Sequence, residues 1–288
     1  MPLKFGLPPR WKPTPWSWTR SALAEPYASI ARDCVFLLPM WEEGGNQKCV
    51  VTRTTLTRQT GTTNVGSPYG LALNRTDGTL DHLLGPSGFR PVSAPNTTGY
   101  TIFGVANPSV VTTVAGSGSL FLMRKTNPWI QWGVLFNMSG VGGEANVTNH
   151  ATPSSASATA YTLSDTIHPS SVAAGAVDGH WHTWGSTSNG SNSLTMWRDG
   201  LLTQATINDS TNGTIGAISD PAQIIVIGGL NASGYGIVGG IALVALFNRP
   251  LANWEMRALH ADPMGLVRRG PLQTFFSGPP SGTPPITG

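Results

Sequence analysis

Short apolar or β-branched runs alternate with turn clusters along almost the whole chain. In the first half, Cys34–Met40, Val50–Leu56, Tyr69–Leu73, Gly99–Val105, Val110–Val114, Ser119–Arg124 and Ile130–Phe136 predict strands. In the second half, Ala158–Leu163, His180–Ser186, Ser193–Trp197, Leu202–Ile207, Ala222–Ile227 and Ile237–Phe247 predict more. Turn pairs separate them, among them Asp77-Gly78, Gly142-Gly143, Asp178-Gly179, Asn189-Gly190, Asp199-Gly200 and Asn212-Gly213. Asp-Gly and Asn-Gly supply the positive backbone angles of tight hairpins. So many apolar strand faces need a second layer to be buried. The pattern therefore predicts an all-β fold, a two-sheet antiparallel jelly-roll sandwich. Within it, Ile237–Phe247 is almost continuously apolar, which fits a sheet centre covered on both faces.

One stretch has helical spacing. Leu251, Trp254, Ala258 and Leu259 recur three and four residues apart and predict a short helix with those residues on its buried face. Asp262-Pro263 ends it. Outside the sandwich, residues 1–30 have neither period, and their prolines favour an extended arm. The predicted organisation is an arm over 1–30, a jelly roll over 31–260 and a Pro/Gly-rich tail over 261–288.

Composition narrows the picture. The 288 residues include 35 Gly and 23 Pro, and only 11% are charged, against about 25% in ordinary soluble domains. Aromatics reach 8%, with ten Trp. Disorder and coiled coils are both excluded by these figures. The net charge of +3 is unevenly spread: residues 126–248 hold six acids and one basic residue, Arg198. A nucleic-acid binder would concentrate Lys and Arg along a stripe, so no nucleic-acid partner is expected. No apolar run approaches a membrane span of roughly 18 residues, so no membrane insertion is expected. The proline-broken opening predicts no secretory leader. The two cysteines, Cys34 and Cys49, allow one bridge or two buried thiols, and the missing leader favours thiols.

Four segments in the second half, taken together, resemble laminin-G-like, concanavalin A-like jelly rolls of the type found in phage structural proteins. Asp178-Gly179-His180-Trp181-His182 is similar to a strand opening of that family. Leu194–Arg198 followed by Asp199-Gly200 resembles its next strand and hairpin, and Ile227-Gly228-Gly229 a later strand. Gly239–Phe247, then Asn248-Arg249-Pro250-Leu251 and the helix, resembles its closing strand and helix. The resemblance implies the sandwich fold and marks Asp178, Gly179, Trp181, His182, Asp199, Gly200, Asn248, Arg249 and Leu251 as fold-signature positions. Where many relatives carry an acid in the closing strand, this chain has Ala242.

The residues give little support to catalysis. Glycoside hydrolysis needs two carboxylates at fixed separation, but Glu42 and Glu43 are adjacent and would face opposite sides, and Glu144 stands alone. Asp165, Asp178, Asp199, Asp209 and Asp220 are too scattered for a calcium site. His180 and His182 share a strand face, a spacing metal sites use, but a third ligand is not evident. Gly140-Val141-Gly142-Gly143 lacks the Lys of a phosphate loop. A non-enzyme without cofactor or metal is expected.

The resemblance implies a virion structural protein: a phage capsid decoration, head-fibre or tail-associated subunit, assembled in the host cytoplasm. Its arm residues Arg10, Trp11, Lys12, Trp16, Trp18 and Arg20 combine the Trp and Arg that dominate interface hot spots. They are expected to dock on the major capsid or other virion proteins, or on further copies in a homo-oligomer. The alternative is a lectin-like module binding host-surface glycans, with Trp129, Trp132 and Tyr235 as rim contacts.

Overall fold

The computed structural model describes residues 18–42, 45–58, 63–75, 82–89, 98–109, 117–124, 131–137, 144–149, 161–164, 179–189, 194–203, 206–207, 224–229 and 238–268. The strands run in chain order as β1 (Cys34–Pro39), β2 (Gln47–Lys48), β3 (Thr55–Arg58), β4 (Thr63–Ser67), β5 (Gly70–Arg75) and β6 (Leu83–Leu84). Next come β7 (Tyr100–Ser109), β8 (Ser117–Arg124), β9 (Gln131–Asn137), β10 (Glu144–Asn149), β11 (Tyr161–Ser164) and β12 (His182–Ser188). The last are β13 (Leu194–Arg198), β14 (Leu201–Thr203), β15 (Thr206–Ile207), β16 (Ile224–Ile227) and β17 (Val238–Phe247). Helices α1 (Tyr27–Ile30) and α2 (Asn253–Ala261) join short 3-10 turns at Arg20–Ala22, Ala31–Asp33 and Pro263–Leu266.

Two antiparallel sheets form a sandwich, as the strand pattern predicts. The first runs β14-β13-β12-β7-β17-β5-β4, and the second β15-β11-β10-β9-β8-β16-β6-β3-β2. β17 is the axis of the first sheet. It pairs with β7 along one edge; on the other it meets β5 at Gly239–Ile241 and β1 at Leu243–Phe247.

Side-chain alternation sends each strand of the first sheet into two different cores. Inward, Phe36, Leu38, Ile102, Trp184, Met196, Val244 and Leu246 meet Leu56, Leu83, Phe121, Val134 and Ile225 of the second sheet. Outward, Leu37, Phe103, Val105, Trp197, Leu243, Ala245 and Phe247 meet Trp18, Leu23, Ile30, Leu251, Met256, Leu259 and Leu266. The outer face is thus capped by residues 18–33 and by the α2 segment. A bulge between Ile241 and Leu243 sends both Ala242 and Leu243 outward. Ala242 is buried beneath the cap, which explains why an apolar residue suits it.

The cap is tied down by polar bonds and by two close approaches. The Trp18 indole donates to Leu266 O at 2.8 Å, and the Arg20 guanidinium to Cys34 O at 2.8 Å. Tyr27 Oη donates to Ala258 O at 3.2 Å, and its ring lies where a Cβ on Gly265 would stand. A Cβ on Gly185 would sit 2.3 Å from Met256 Cε, so this glycine lets α2 settle on β12.

The closing Asn-Arg-Pro-Leu segment works as a clamp. Arg249 Nε donates to Asp33 Oδ2 at 2.7 Å, while its two terminal nitrogens donate to the two Glu255 oxygens at 2.6 and 2.5 Å. Glu255 also accepts the Ala252 N–H at 2.8 Å, satisfying a donor at the start of α2. Burial opposes ionisation of Glu255, but the Arg249 fork and the Ala252 N–H outweigh it and hold the carboxyl below its ordinary value. Asn248 N donates to Asp33 O, and Thr101 Oγ1 bridges Arg249 O and Leu251 N.

Several expectations are corrected. The buried face of α2 carries Glu255, Met256, Leu259 and His260, while Trp254 is 56% exposed. The clamp and the Met256–Gly185 contact set the helix rotation, not the apolar spacing alone. The strand expected over Val50–Leu56 begins only at Thr55, because the backbone turns at Arg53 with φ 64° and Cys49 N bonds Thr54 O. The strand expected over Gly99–Val105 is the ten-residue β7, from Tyr100 to Ser109, and Val110–Val114 lies outside the described residues. The sequence pattern missed β2, β4, β6 and β10. Cys34 and Cys49 are both free and buried, and burial pushes the Cys34 thiol up.

Replacing Arg249 with Ala strands Glu255 and Asp33 without their cation. Denaturant unfolding at pH 7 is expected to show a loss of about 3 kcal/mol, and Arg249→Lys should fail to restore it because a point charge cannot serve both carboxylates. A loss below about 0.5 kcal/mol, as for an exposed ion pair, would contradict the clamp.

Candidate functional site

The family-like positions converge where β12 begins and the β13–β14 hairpin turns back. Asp199 and Gly200 form the two-residue hairpin loop, with φ of 50° and 79°, as a type I′ turn requires. This turn points Asp199 back at β12. Its Oδ1 accepts from Thr183 N at 2.9 Å and lies 3.3 Å from Thr183 Oγ1, and its Oδ2 lies 2.6 Å from His182 Nδ1. Asp199 N in turn donates to Thr183 O at 3.0 Å. Burial works against the charge on Asp199, but these bonds prevail and lower its pKa.

Alternation along β12 sends successive side chains to opposite faces. Thr183 faces outward beneath α2, and Trp184 faces into the core between the sheets. The His182 ring packs edge-on to Trp184 at 5.8 Å, and the Arg198 guanidinium lies 5.9 Å from the Trp184 ring centre. Trp181, also outward, meets Tyr69 edge-to-face at 6.1 Å, and both rings are half-buried. A Cβ on Gly240 would sit 2.7 Å from the Trp181 ring, so the bare strand seats that indole. Burial, then the nearby Asp199 charge, raises the Tyr69 pKa. The rim therefore offers two partly exposed aromatic faces beside a carboxylate that is 43% exposed.

A second polar group lies behind the rim. His260 Nδ1 is 2.6 Å from Thr183 Oγ1, and the ring stacks on Trp197 at 6.1 Å. Its Nε2 is buried without a hydrogen-bond partner. Desolvation pulls the His260 pKa down to about 4, with only a partial opposing pull from Asp199.

Asp199, His182, Thr183 and His260 hold the residue types of a hydrolytic triad but not its geometry. The only hydroxyl in the group, Thr183, is buried under α2 and already bonded to His260 and Asp199. A nucleophile must reach a carbonyl with its base beside it. This arrangement serves instead as a latch between hairpin, sheet and helix. Among the described residues no three His, Cys, Asp or Glu side chains converge on a common point.

Of the expected site residues, the structure joins His182, Asp199 and Trp181 at the rim and places Asn248, Arg249 and Leu251 in the clamp. Gly179 has φ 77° and donates to Pro108 O at 2.8 Å; Asp178 lies outside the described residues. Trp18 and Arg20 of the expected docking arm are engaged with the chain's own body, and Arg10, Trp11, Lys12 and Trp16 lie outside the described residues. Trp132 occupies β9, paired with Met123 and Asn149. Trp129 and Tyr235 lie outside the described residues. The sequence reading missed Tyr69, Thr183 and His260 as members of the rim. Only tertiary pairing joins them, although Gly185, set among larger residues in a core strand, was an available sign of close helix packing.

No family model and no curated protein matches the chain. Solved structures do. The Trypanosoma rangeli sialidase in complex with sialic acid matches with a TM-score of 0.54 at 16% identity, over 82% of this chain and 34% of the sialidase. The Botulinum neurotoxin serotype D binding domain matches at 0.55 and 12% identity, over 83% and 53%. The binding domain of Paraclostridial Mosquitocidal Protein 1 matches at 0.53 and 13%, over 80% and 52%. The chain thus spans about a third of the sialidase and about half of the two toxin chains. At such identities the likeness is one of fold: all three share an all-β sandwich with this protein.

The His260 environment predicts a pH effect. Its folded pKa of about 4 lies below the ordinary 6.5, so in that window the unfolded chain binds more protons and stability rises with pH. Unfolding free energy is expected to fall by roughly 2–3 kcal/mol from this group as pH drops from 6.5 to 4. The carboxylates held low, Asp199 and Glu255, add to the loss mainly below that window. His260→Gln should flatten the slope between pH 6.5 and 4.5; an unchanged slope would assign the effect elsewhere.

Proposed function

We propose that this chain is a non-enzymatic, lectin-like binding module that recognises surface glycans at the rim of its sandwich. The observation that carries this reading is the half-exposed Tyr69–Trp181 pair beside the Asp199 carboxylate and His182. Aromatic faces pack against the C–H faces of sugars, and a carboxylate fixed by its own hydrogen bonds can accept from sugar hydroxyls. Asp199 is held by two strands and a tight turn, so the site is preformed and loses little entropy on binding. The fold neighbours add weight by analogy: two are toxin binding domains, and a third is a sialidase in complex with sialic acid.

Trp129, Trp132 and Tyr235 form a second candidate contact set. A virion setting, with capsid proteins or further copies as partners, is compatible with this module. It rests on the sequence resemblance alone.

A glycan array probed with the purified chain is expected to show a restricted set of positive glycans. Trp181→Ala should reduce that signal at least tenfold while retaining the far-ultraviolet spectrum of the sheets. A flat array would overturn the reading. Signal retained in Trp181→Ala but lost in Trp132→Ala would move the site to the second set.

A further inference from the structure

The cap carries a cleft apart from the rim. It has a volume of about 230 Å³ and is lined by Arg20, Ser21, Glu25, Ala28, Ser29 and Arg32. The Arg20–Ala22 turn supplies one wall, and α1 with the following 3-10 turn supplies the other. Arg20 and Arg32, twelve positions apart and both exposed, line one cleft because the chain doubles back through Pro26 and α1.

Among the described residues neither Arg20 nor Arg32 is ion-paired; Arg20 donates only to Cys34 O. Glu25 lines the same cleft, but the bond it makes is with Ser29 N, at 3.3 Å. The residues ahead of Glu25 contain Lys4, Arg10 and Lys12 and no acid. Two guanidiniums without an ion-pair partner among the described residues, Arg20 keeping donors beyond the one it gives Cys34 O, match a carboxylate or sulfate. Ser21 and Ser29 add hydroxyls, Glu25 adds an acceptor, and Ala28 adds an apolar wall. A bare inorganic anion would use the arginines and be repelled by Glu25. A ring bearing both an acid group and hydroxyls would use every group. The volume lies below the 300–1,000 Å³ of drug-sized sites and suits a single ring.

We propose that the Arg20–Arg32 cleft is a subsite for a carboxylate-bearing sugar unit, with the acid on the two guanidiniums and the hydroxyls on Glu25 and the serines. This proposal rests on the glycan-binding reading and assigns it a second contact point and a preference for acidic glycans.

The test is calorimetric titration of the full chain with lactose, with sialyl-lactose and with sodium sulfate, at low and at physiological salt. Sialyl-lactose is expected to bind more tightly than lactose, with affinity falling as salt rises. Arg32→Gln removes no bond seen in the fold; it should weaken sialyl-lactose at least fivefold and leave lactose unchanged. Arg20→Gln/Arg32→Gln should abolish the preference, and a thermal melt of each variant checks its fold. Equal binding of both sugars, or an unchanged preference in Arg32→Gln, overturns the subsite and leaves the glycan reading intact. Sulfate that binds as tightly as sialyl-lactose and competes with it makes the cleft a plain anion site and also overturns the proposal. Binding of neither sugar, alongside a flat array, overturns both readings.

Discussion

The structure depends on one constraint: β17 is apolar on both faces and needs both covered. Val244 and Leu246 point toward the second sheet; Leu243, Ala245 and Phe247 point away from it. Each of the Val, Leu and Phe side chains left in water would forgo about 1.5–3 kcal/mol. The second sheet covers one side. Among the described residues, the other side is covered by the chain's two flanks, residues 18–33 and the segment carrying α2. The molecule is therefore a sandwich with a fused cap.

The polar features that resist explanation as surface decoration fall into place under this constraint. Arg249 joins Asp33 of one flank to Glu255 of the other across the end of β17. Trp18 reaches Leu266, and Tyr27 reaches Ala258, again one flank to the other. Asp199, Thr183 and His260 fasten α2 to the sheet beneath it. Each buried polar group is costly unless bonded, so these bonds favour one arrangement of the cap over others that would cover the same area. The same rigidity fixes the two features proposed as glycan contacts, the Tyr69–Trp181–Asp199 rim and the arginine cleft on the cap.

The sequence disclosed what depends on local pattern. Alternation and Asp-Gly pairs located β12, β13 and β17, and the Asp199-Gly200 turn came out with the expected backbone. Apolar spacing identified α2 but misjudged its rotation, because Met256 over Gly185 and Glu255 on Arg249 are tertiary contacts that outrank a Trp at helical spacing. Short strands such as β2 and β6, two residues each, carry no period to detect. The rim was only partly legible. Trp181, His182 and Asp199 stood in a recognisable motif, but Tyr69 and His260 reach it from distant parts of the chain. The arginine cleft was illegible, since nothing local says that Arg20 and Arg32 share a space; the uneven charge placed the basic residues, Arg198 apart, only outside 126–248.

Both proposed contact points depend on a permanent cap. Native-state hydrogen exchange measures that permanence most directly. Amides of α1 and α2 are expected to exchange with the same opening free energy as those of β17, because the cap cannot leave without exposing that strand. Cap amides that exchange through a low-energy local opening while β17 stays protected would contradict a permanent cap.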